Sequence, residues 1–402
     1  MDRRSFLKAA GIVAALAGRA AAKHLVLLNV PETITISRID WFLYETGLRG
    51  PADEPDRRCA VRITAEPGIQ GWADSSNWIM PNVEIARAIT NRLAGREISG
   101  PAVVWRELYE AGLPLGALGA VDVALWDLLG RMQDKPVHAL LGTQRQKVRA
   151  YVTTDFNLGN PSQYADYALS CRQMGVHGCK IRPNFAPGAG AEGAPGIGFP
   201  DRDMAVYQAV REAVGPDFAC MADNGGTYTF DEALRVGRLL DNLQYAWYES
   251  PMPETEICRE RYIALAAQLK TPICAPESLA ESYPARITWL TSKACDIANI
   301  NVHLGGLTPC FELAAACEAA GARLELTDIG LDSYPHLQMI AATSESLIKY
   351  VELSSLPRTE QIHPGRTTPE PLLDEEGCIA IPQTPGMGIE LDWQHIITHR
   401  VG

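Results

Sequence analysis

Phe218-Ala-Cys-Met-Ala222 stops at Asp223, Tyr245-Ala-Trp-Tyr248 stops at Glu249, and Pro272-Ile-Cys-Ala-Pro276 stops at Glu277. The three acids stand 26 and 28 residues apart. That interval holds one strand, one helix and two loops when successive strands run parallel. Three short apolar runs each closed by a carboxylate therefore bring three acids to one rim of a sheet. The C-terminal ends of strands are where βα-barrel enzymes keep their chemistry, and clustered carboxylate oxygens suit a hard divalent ion such as Mg2+. Any one of these acids alone would read as a helix N-cap or a solvated loop residue. Three in register read as a metal site.

The same interval extends in both directions. Ile297-Ala-Asn-Ile300 ends at Asn301, Arg323-Leu-Glu-Leu326 at Thr327 and Leu347-Ile-Lys-Tyr-Val351 at Glu352. Upstream, Val148-Arg-Ala-Tyr-Val-Thr-Thr154 and the segment ending at Lys180 complete eight strands. The windows between them carry helical periodicity, as in residues 230–240 and 309–320. Strand and helix alternate, and the fold expected is α/β, a parallel (β/α) barrel over residues 148–355.

Residues 24–147 read differently. Thr33–Asp40 and Arg58–Ala65 have the pattern of antiparallel strands, followed by Gly68-Ile-Gln-Gly-Trp72, a helix from about Val83 and a strongly apolar helix over Gly116–Arg131. This is an α+β cap. A tail punctuated by Gly and Pro, residues 356–402, is expected to return to it. Tyr44, Trp72 and Trp78 could close over the barrel mouth or simply pack between the two units.

Composition bounds the partners. With 47% hydrophobic and 21% charged residues, 402 residues can bury one large core and a second domain. A formal charge of −12 argues against nucleic acid and anionic membranes. The first residues carry a separate message. Arg3-Arg4 precedes the apolar stretch Ala9–Ala17 and then Ala20-Ala-Ala22, which is the order of a twin-arginine export signal too short to act as a permanent anchor. Removing residues 1–22 takes away four positive charges and one negative, leaving −15 on a periplasmic chain with no membrane anchor. Ten cysteines are present, but none forms a Cys-x-x-Cys or Cys/His cluster. Cys179, Cys220, Cys274 and Cys295 fall in expected strands, where cysteine serves as a small buried hydrophobe, so no essential disulfide is expected.

Several motifs in order carry a resemblance. Ala120-Val-Asp-Val-Ala-Leu-Trp-Asp-Leu-Leu-Gly130, Lys135-Pro-Val-His-Ala-Leu-Leu-Gly142, Lys180-Ile-Arg182, Ala222-Asp-Asn-Gly225, Trp247-Tyr-Glu-Ser-Pro251, Ala275-Pro-Glu277 and Leu304-Gly-Gly-Leu307 resemble the mandelate racemase/muconate lactonizing enzyme family of the enolase superfamily. The resemblance covers essentially everything after the signal. It implies a capping domain on a (β/α)7β barrel and one Mg2+ held by Asp223, Glu249 and Glu277. It also implies chemistry that begins with loss of a proton alpha to a carboxylate. The segments around Lys180 and Trp247 look most like the acid-sugar dehydratases, so the expected partner is a small-molecule carboxylate, and the family's habit of assembling barrel subunits implies a homo-oligomer.

Departures from the family pattern leave the base open. Where relatives carry Lys-x-Lys or Lys-x-His, this chain has Arg182, a poor base at neutral pH. The family's His at the end of strand seven and Asp at the end of strand six match Thr327 and Asn301, and a one-residue shift would substitute Asp328 for Thr327. His303, before Gly305-Gly306, reads first as a loop histidine. Lys180 remains the base candidate. Residues i and i+2 share a strand face, so Lys180 and Arg182 are both expected in the mouth, the guanidinium lowering the lysine pKa. The same two cations could anchor a substrate carboxylate, and Lys180 could be a structural partner of Glu249. Glu352 matches the family's eighth-strand carboxylate that contacts substrate, with Lys349 as its alternative partner.

The expected reaction is dehydration of an aldonate or aldarate to a 2-keto-3-deoxy acid. Racemisation or epimerisation of a 2-hydroxy acid is a variant. The other class is a non-catalytic exported carboxylate binder that lost the His-Asp dyad. The glycine-rich run Ala186–Gly198 reads as a mobile lid.

Overall fold

The computed structural model describes residues 33–49, 53–76, 82–183, 198–279, 283–327, 334–354 and 361–401. The export signal, Trp78, the lid run up to residue 197 and Asp328 lie outside these residues. Four strands form an antiparallel cap sheet: β1 (Ile34–Arg49), β2 (Pro55–Ala65), β3 (Ile69–Ser76) and β4 (Glu97–Ile98), in the order β3-β2-β1-β4. β1 runs nine residues beyond the expected end at Asp40 because its alternation continues through Phe42, Tyr44 and Thr46, all buried.

Eight parallel strands follow: β5 (Lys147–Thr153), β6 (Gly178–Ile181), β7 (Ala219–Asp223), β8 (Trp247–Glu249), β9 (Ile273–Cys274), β10 (Ile297–Ile300), β11 (Arg323–Leu326) and β12 (Tyr350–Leu353). They are neighbours in chain order from β5 to β11, and β12 pairs with β5. Leu324 N–H donates to the Leu347 carbonyl at 2.9 Å, linking β11 to the approach of β12. Cys295 lies just before β10 rather than in it, and all ten cysteines are buried free thiols. Alternate residues point inward and fill the barrel in layers. Tyr151, Met221, Trp247, Cys274, Ile297 and Tyr350 make an apolar floor. Polar residues stand above it.

Cap and barrel are joined by side chains of the helix Leu115–Met132, which is apolar on every face and buried over residues 117–130. Its Asp122 accepts the Thr308 hydroxyl at 2.5 Å and the Thr308 N–H at 2.9 Å, and Trp126 Nε1 donates to Thr308 Oγ1 at 3.1 Å. Trp105 Nε1 donates to the Gly305 carbonyl at 2.6 Å. Gly306 has φ +99°, and a Cβ there would stand 2.4 Å from Asp122 Oδ2, so the Gly-Gly pair is what the docked cap helix demands. Asp127 accepts the N–H of Trp72 at 2.9 Å and of Met387 at 2.7 Å, tying the tail to the cap. Glu45 N–H donates to the His399 carbonyl, and Val401 N–H to the Leu43 carbonyl, so the tail does return to the cap. β13 (Cys378–Ala380) pairs with β5 on the way.

Two buried carboxyls make this junction pH-sensitive. Burial pushes Asp122 up to about 7 and Asp127 up to about 6, from an ordinary 3.8. A carboxyl whose folded pKa is raised contributes stability below its unfolded pKa, and that contribution is lost as pH rises through the folded pKa. Unfolding free energy is therefore expected to fall between about pH 4 and pH 7, by up to about 1.4 kcal/mol per pH unit for each group. Urea melts of wild type and Asp122→Asn across that window check it, and an equal slope in the two proteins would remove Asp122 from the account.

Candidate active site

The polar layer above the barrel floor centres on Lys180. The residue sits on β6 opposite Thr153 and Met221 and is 3% exposed. Its Nζ donates to Glu249 Oε1 at 3.0 Å and pairs with Glu352 Oε1 at 2.9 Å. Burial opposes the charged form, but Glu249, Glu352, Asp223 and Glu277 outweigh it and hold the lysine pKa well above its ordinary value. In this site Lys180 is an ammonium.

The guanidinium argument for a lowered lysine pKa is overturned. Arg182 does not share the Lys180 environment: its Nε donates to the Thr154 carbonyl at 2.7 Å, its N–H to Thr154 Oγ1 at 2.9 Å, and its side chain stacks 4.0 Å over Phe156. β6 ends at Ile181, so the alternation that would have carried Arg182 inward stops one residue early. Glu352 takes Lys180 rather than Lys349, whose ammonium lies 5.1 Å over the Tyr350 ring. Its Oε2 is buried with no hydrogen-bond partner among the described residues, an acceptor left for something else.

The structure brings the three strand-end acids near one another on one rim of the barrel. Asp223 and Glu249 are paired across β7 and β8, and Glu277 lies three residues past β9. Burial, Asp223 and Glu352 push Glu249 up to about 7 against the pull of Lys180. Burial, Glu249 and Asp223 hold Glu277 well above the carboxylate range. Such mutual destabilisation of negative charge is what a bound cation relieves. The donor chemistry suits a hard divalent ion, although among the described residues no three acidic, His or Cys side chains are placed so that they could hold one as they stand. The carboxylate of Glu249 is occupied instead: Oε1 by Lys180 and, at 3.3 Å, Asn299 Nδ2, and Oε2 by Trp247 Nε1 at 3.0 Å.

Strand six departs from expectation. Asn301 follows β10 and its Oδ1 accepts the His303 N–H at 2.8 Å, capping a short 3-10 turn over Val302–Leu304. Asn299, two residues earlier, reaches the Lys180 cluster in its place. His303 lies in that turn beyond the strand, as a loop histidine would, but it is not exposed. It is buried against the cap, with Nδ1 3.4 Å from Ser75 Oγ and its ring 5.3 Å from that of His336. His303 borders a cavity of about 20 Å3, room for one water, lined among others by Asp74, Ser75 and Arg366. Thr327 is buried after β11, with Oγ1 unpartnered among the described residues. Tyr44 and Trp72 do not close the mouth: Tyr44 donates to Asp74 at 2.9 Å, and Trp72 donates to the Ile389 carbonyl at 3.0 Å beneath the Arg131 guanidinium.

Sequence reasoning missed Glu325, Tyr151 and Trp247. Tyr151 donates to Glu325 Oε1 at 2.8 Å, and its ring lies 5.9 Å below Lys180 Nζ. Burial, Glu352 and Glu249 hold the Glu325 carboxyl well above the ordinary range. A glutamate in the middle of a buried strand was the available signal.

A capped parallel barrel with a lysine and a set of carboxylates at its strand ends defines the architecture of the enolase superfamily. The chain matches the family described as Enolase C-terminal domain-like over residues 163–395, and the Mandelate racemase / muconate lactonizing enzyme N-terminal domain over residues 54–142. It belongs to the mandelate racemase/muconate lactonizing enzyme family of the enolase superfamily. It is 29% identical over 358 residues to a D-galactarolactone cycloisomerase of Agrobacterium fabrum, covering 84% of this chain and 90% of that protein. It is 25% identical over 361 residues to an arabinonate dehydratase of Saccharolobus solfataricus, covering 85% and 90%. A solved D-glucarate dehydratase from Agrobacterium tumefaciens, complexed with magnesium, superposes with a TM-score of 0.79 at 26% identity over 92% of this chain and 99% of that one.

Proposed function

We propose that this enzyme removes the proton alpha to the carboxylate of an acid sugar and expels the neighbouring hydroxyl as water, giving a 2-keto-3-deoxy acid. The observation that carries the reading is Lys180, seated between Glu249 and Glu352 near the other two strand-end acids, Asp223 and Glu277. The dehydratases among its relatives, one of them solved with magnesium, support it. Asp223, Glu249 and Glu277 would hold Mg2+, which when bound stabilises the negative charge that develops on the substrate carboxylate.

The chain's own residues account for the protons. Lys180 must shed one before it can act as a base, which requires that a cation held by Asp223, Glu249 and Glu277 offset the negative charges that raise its pKa, and Glu352 Oε1 lies 2.9 Å away to take the proton. The resulting neutral amine accepts the alpha proton and becomes an ammonium again. As the enolate collapses and the C–O bond beta to the carboxylate breaks, the protonated Glu352 gives its proton to the departing hydroxyl. Water leaves, the ammonium-carboxylate pair is restored, and the enol so formed becomes the 2-keto-3-deoxy acid by losing its hydroxyl proton to solvent and taking a solvent proton at C3. The unpartnered Glu352 Oε2 offers a substrate hydroxyl an acceptor.

The 29% relative favours a second reading of the same first step, in which the leaving group is a lactone ring oxygen and the outcome is cycloisomerisation. Export of the folded, loaded chain by the twin-arginine route completes the proposal. Incubating the mature protein with Mg2+ and a panel of aldonates, aldarates and their lactones, then assaying 2-keto acid with a carbonyl reagent, tests it. An acyclic acid that yields keto acid supports dehydration, and a lactone consumed while acyclic acids are not supports the second reading. Binding without turnover anywhere in the panel would leave the carboxylate binder in possession.

A further inference from the structure

We infer that Glu254 is a positioning residue, which with Arg286 fixes Glu277 relative to Glu249 for the divalent cation; the inference rests on the metal reading proposed above. Glu277 needs such help. β9 ends at Cys274, so Glu277 stands in the loop beyond it, with no ladder to fix its backbone. Two side chains, Glu254 from the loop after β8 and Arg286 from the helix Tyr283–Thr291, replace the ladder. Glu254 Oε2 accepts the N–H of Glu277 at 2.8 Å and of Ser278 at 2.7 Å. Arg286 Nη2 donates to the Glu277 carbonyl at 2.7 Å, its Nη1 donates to the Leu279 carbonyl, and its Nε donates to the Asn299 carbonyl at 2.9 Å. The peptide groups on both sides of Glu277 are thus held.

The other oxygen of Glu254 reaches the second ligand. Oε1 accepts the hydroxyl of Ser250 at 2.8 Å, and Ser250 directly follows Glu249 with φ +42°, a backbone value that side chains rarely adopt. One buried carboxylate therefore bridges the residue after the β8 acid to the backbone of the β9 acid. Through Asn299, Arg286 also holds the strand whose side chain touches Glu249 Oε1. Supporting contacts of this kind orient metal ligands, and their loss typically costs about 10–100-fold in metal affinity. A carboxylate that merely staples two loops would change stability and leave metal affinity alone.

The test titrates metal-free mature protein with Mn2+, followed by electron paramagnetic resonance, for wild type, Glu254→Gln and Ser250→Ala, with thermal melts in EDTA alongside. Glutamine offers one oxygen and one NH2, so the Ser250 hydroxyl must turn from donor to acceptor to keep the bridge, and the bonds to the Glu277 and Ser278 N–H groups lose the strength that the carboxylate charge gives them. Wild type is expected to bind one Mn2+, and Glu254→Gln to bind it about 10–100-fold more weakly. Ser250→Ala, which removes a single hydrogen bond, should weaken binding less than Glu254→Gln does. Wild-type affinity in a folded Glu254→Gln protein overturns the inference, whatever its melting temperature. If Glu254→Gln does not fold, Ser250→Ala decides: weaker Mn2+ binding supports the inference and unchanged binding overturns it. A wild type that binds no Mn2+ fails at the earlier step, taking the metal reading and this inference together.

Discussion

Lys180→Met is expected to slow exchange of the substrate alpha proton by about 10²–10⁴-fold, the contribution of a positioned proton-transfer group. Methionine keeps the length and apolar stem of the lysine, so the barrel floor of Tyr151 and Trp247 stays packed. What goes is the proton carrier and the counter-charge for two buried carboxylates, Glu249 and Glu352. Breaking a buried pair from one side costs on the order of 3–5 kcal/mol. The variant should therefore also be less stable at neutral pH. Part of that loss should be recovered below pH 7, where Glu249, already pushed up to about 7 in the wild type, takes a proton instead. Single-turnover exchange and urea melts at two pH values check both halves. A variant as stable as wild type at pH 8 would mean that one carboxylate is already neutral and that the ion pair is weaker than its geometry states.

Adding Mg2+ to metal-free protein is expected to stabilise it by about 2.7 kcal/mol when the ion is present at one hundred times its Kd. The gain should vanish in Asp223→Asn and Glu277→Gln, and EDTA should abolish turnover. Its pH dependence has a defined sign. Metal binding requires ionised ligands, and two of the three carboxyls are raised, Glu249 to about 7 and Glu277 in the same direction. Affinity should therefore fall as pH drops through 7. Differential scanning calorimetry with and without Mg2+ between pH 6 and 8 measures this directly, and a shift that is flat across that range would contradict the assignment of Glu249 as a ligand.

The three acids were readable because each closes a short apolar run, and closing a run is a local event. Two of the failures share one physical origin. Alternation of inward and outward residues holds only while a strand lasts, and it was carried one residue too far in two places. β6 stops at Ile181, so Arg182 turned to the Thr154 carbonyl and Phe156. β10 stops at Ile300, so Asn301 became the cap of a turn while Asn299 entered the site. The lysine pKa was misjudged for the same reason, since its neighbours are carboxylates and no guanidinium stands beside it. That the turn residue His303 is buried was not legible because the cap that covers it lies more than two hundred residues earlier, at Ser75. Glu254 and Arg286 had no local signature at all. Their roles come from a loop and a helix meeting in space, which spacing along the chain does not encode.

The central claim is that Lys180 and Glu352 exchange protons with a substrate carbon acid at the mouth of this barrel. Proton NMR in D2O, with mature wild type, Mg2+ and a panel of acid sugars and 2-hydroxy acids, tests it most directly. The account predicts that at least one compound loses its alpha-proton signal, and that the loss disappears in Lys180→Met. Exchange that continues undiminished in Lys180→Met would show that another group carries the proton, and the mechanism built on this lysine would be wrong.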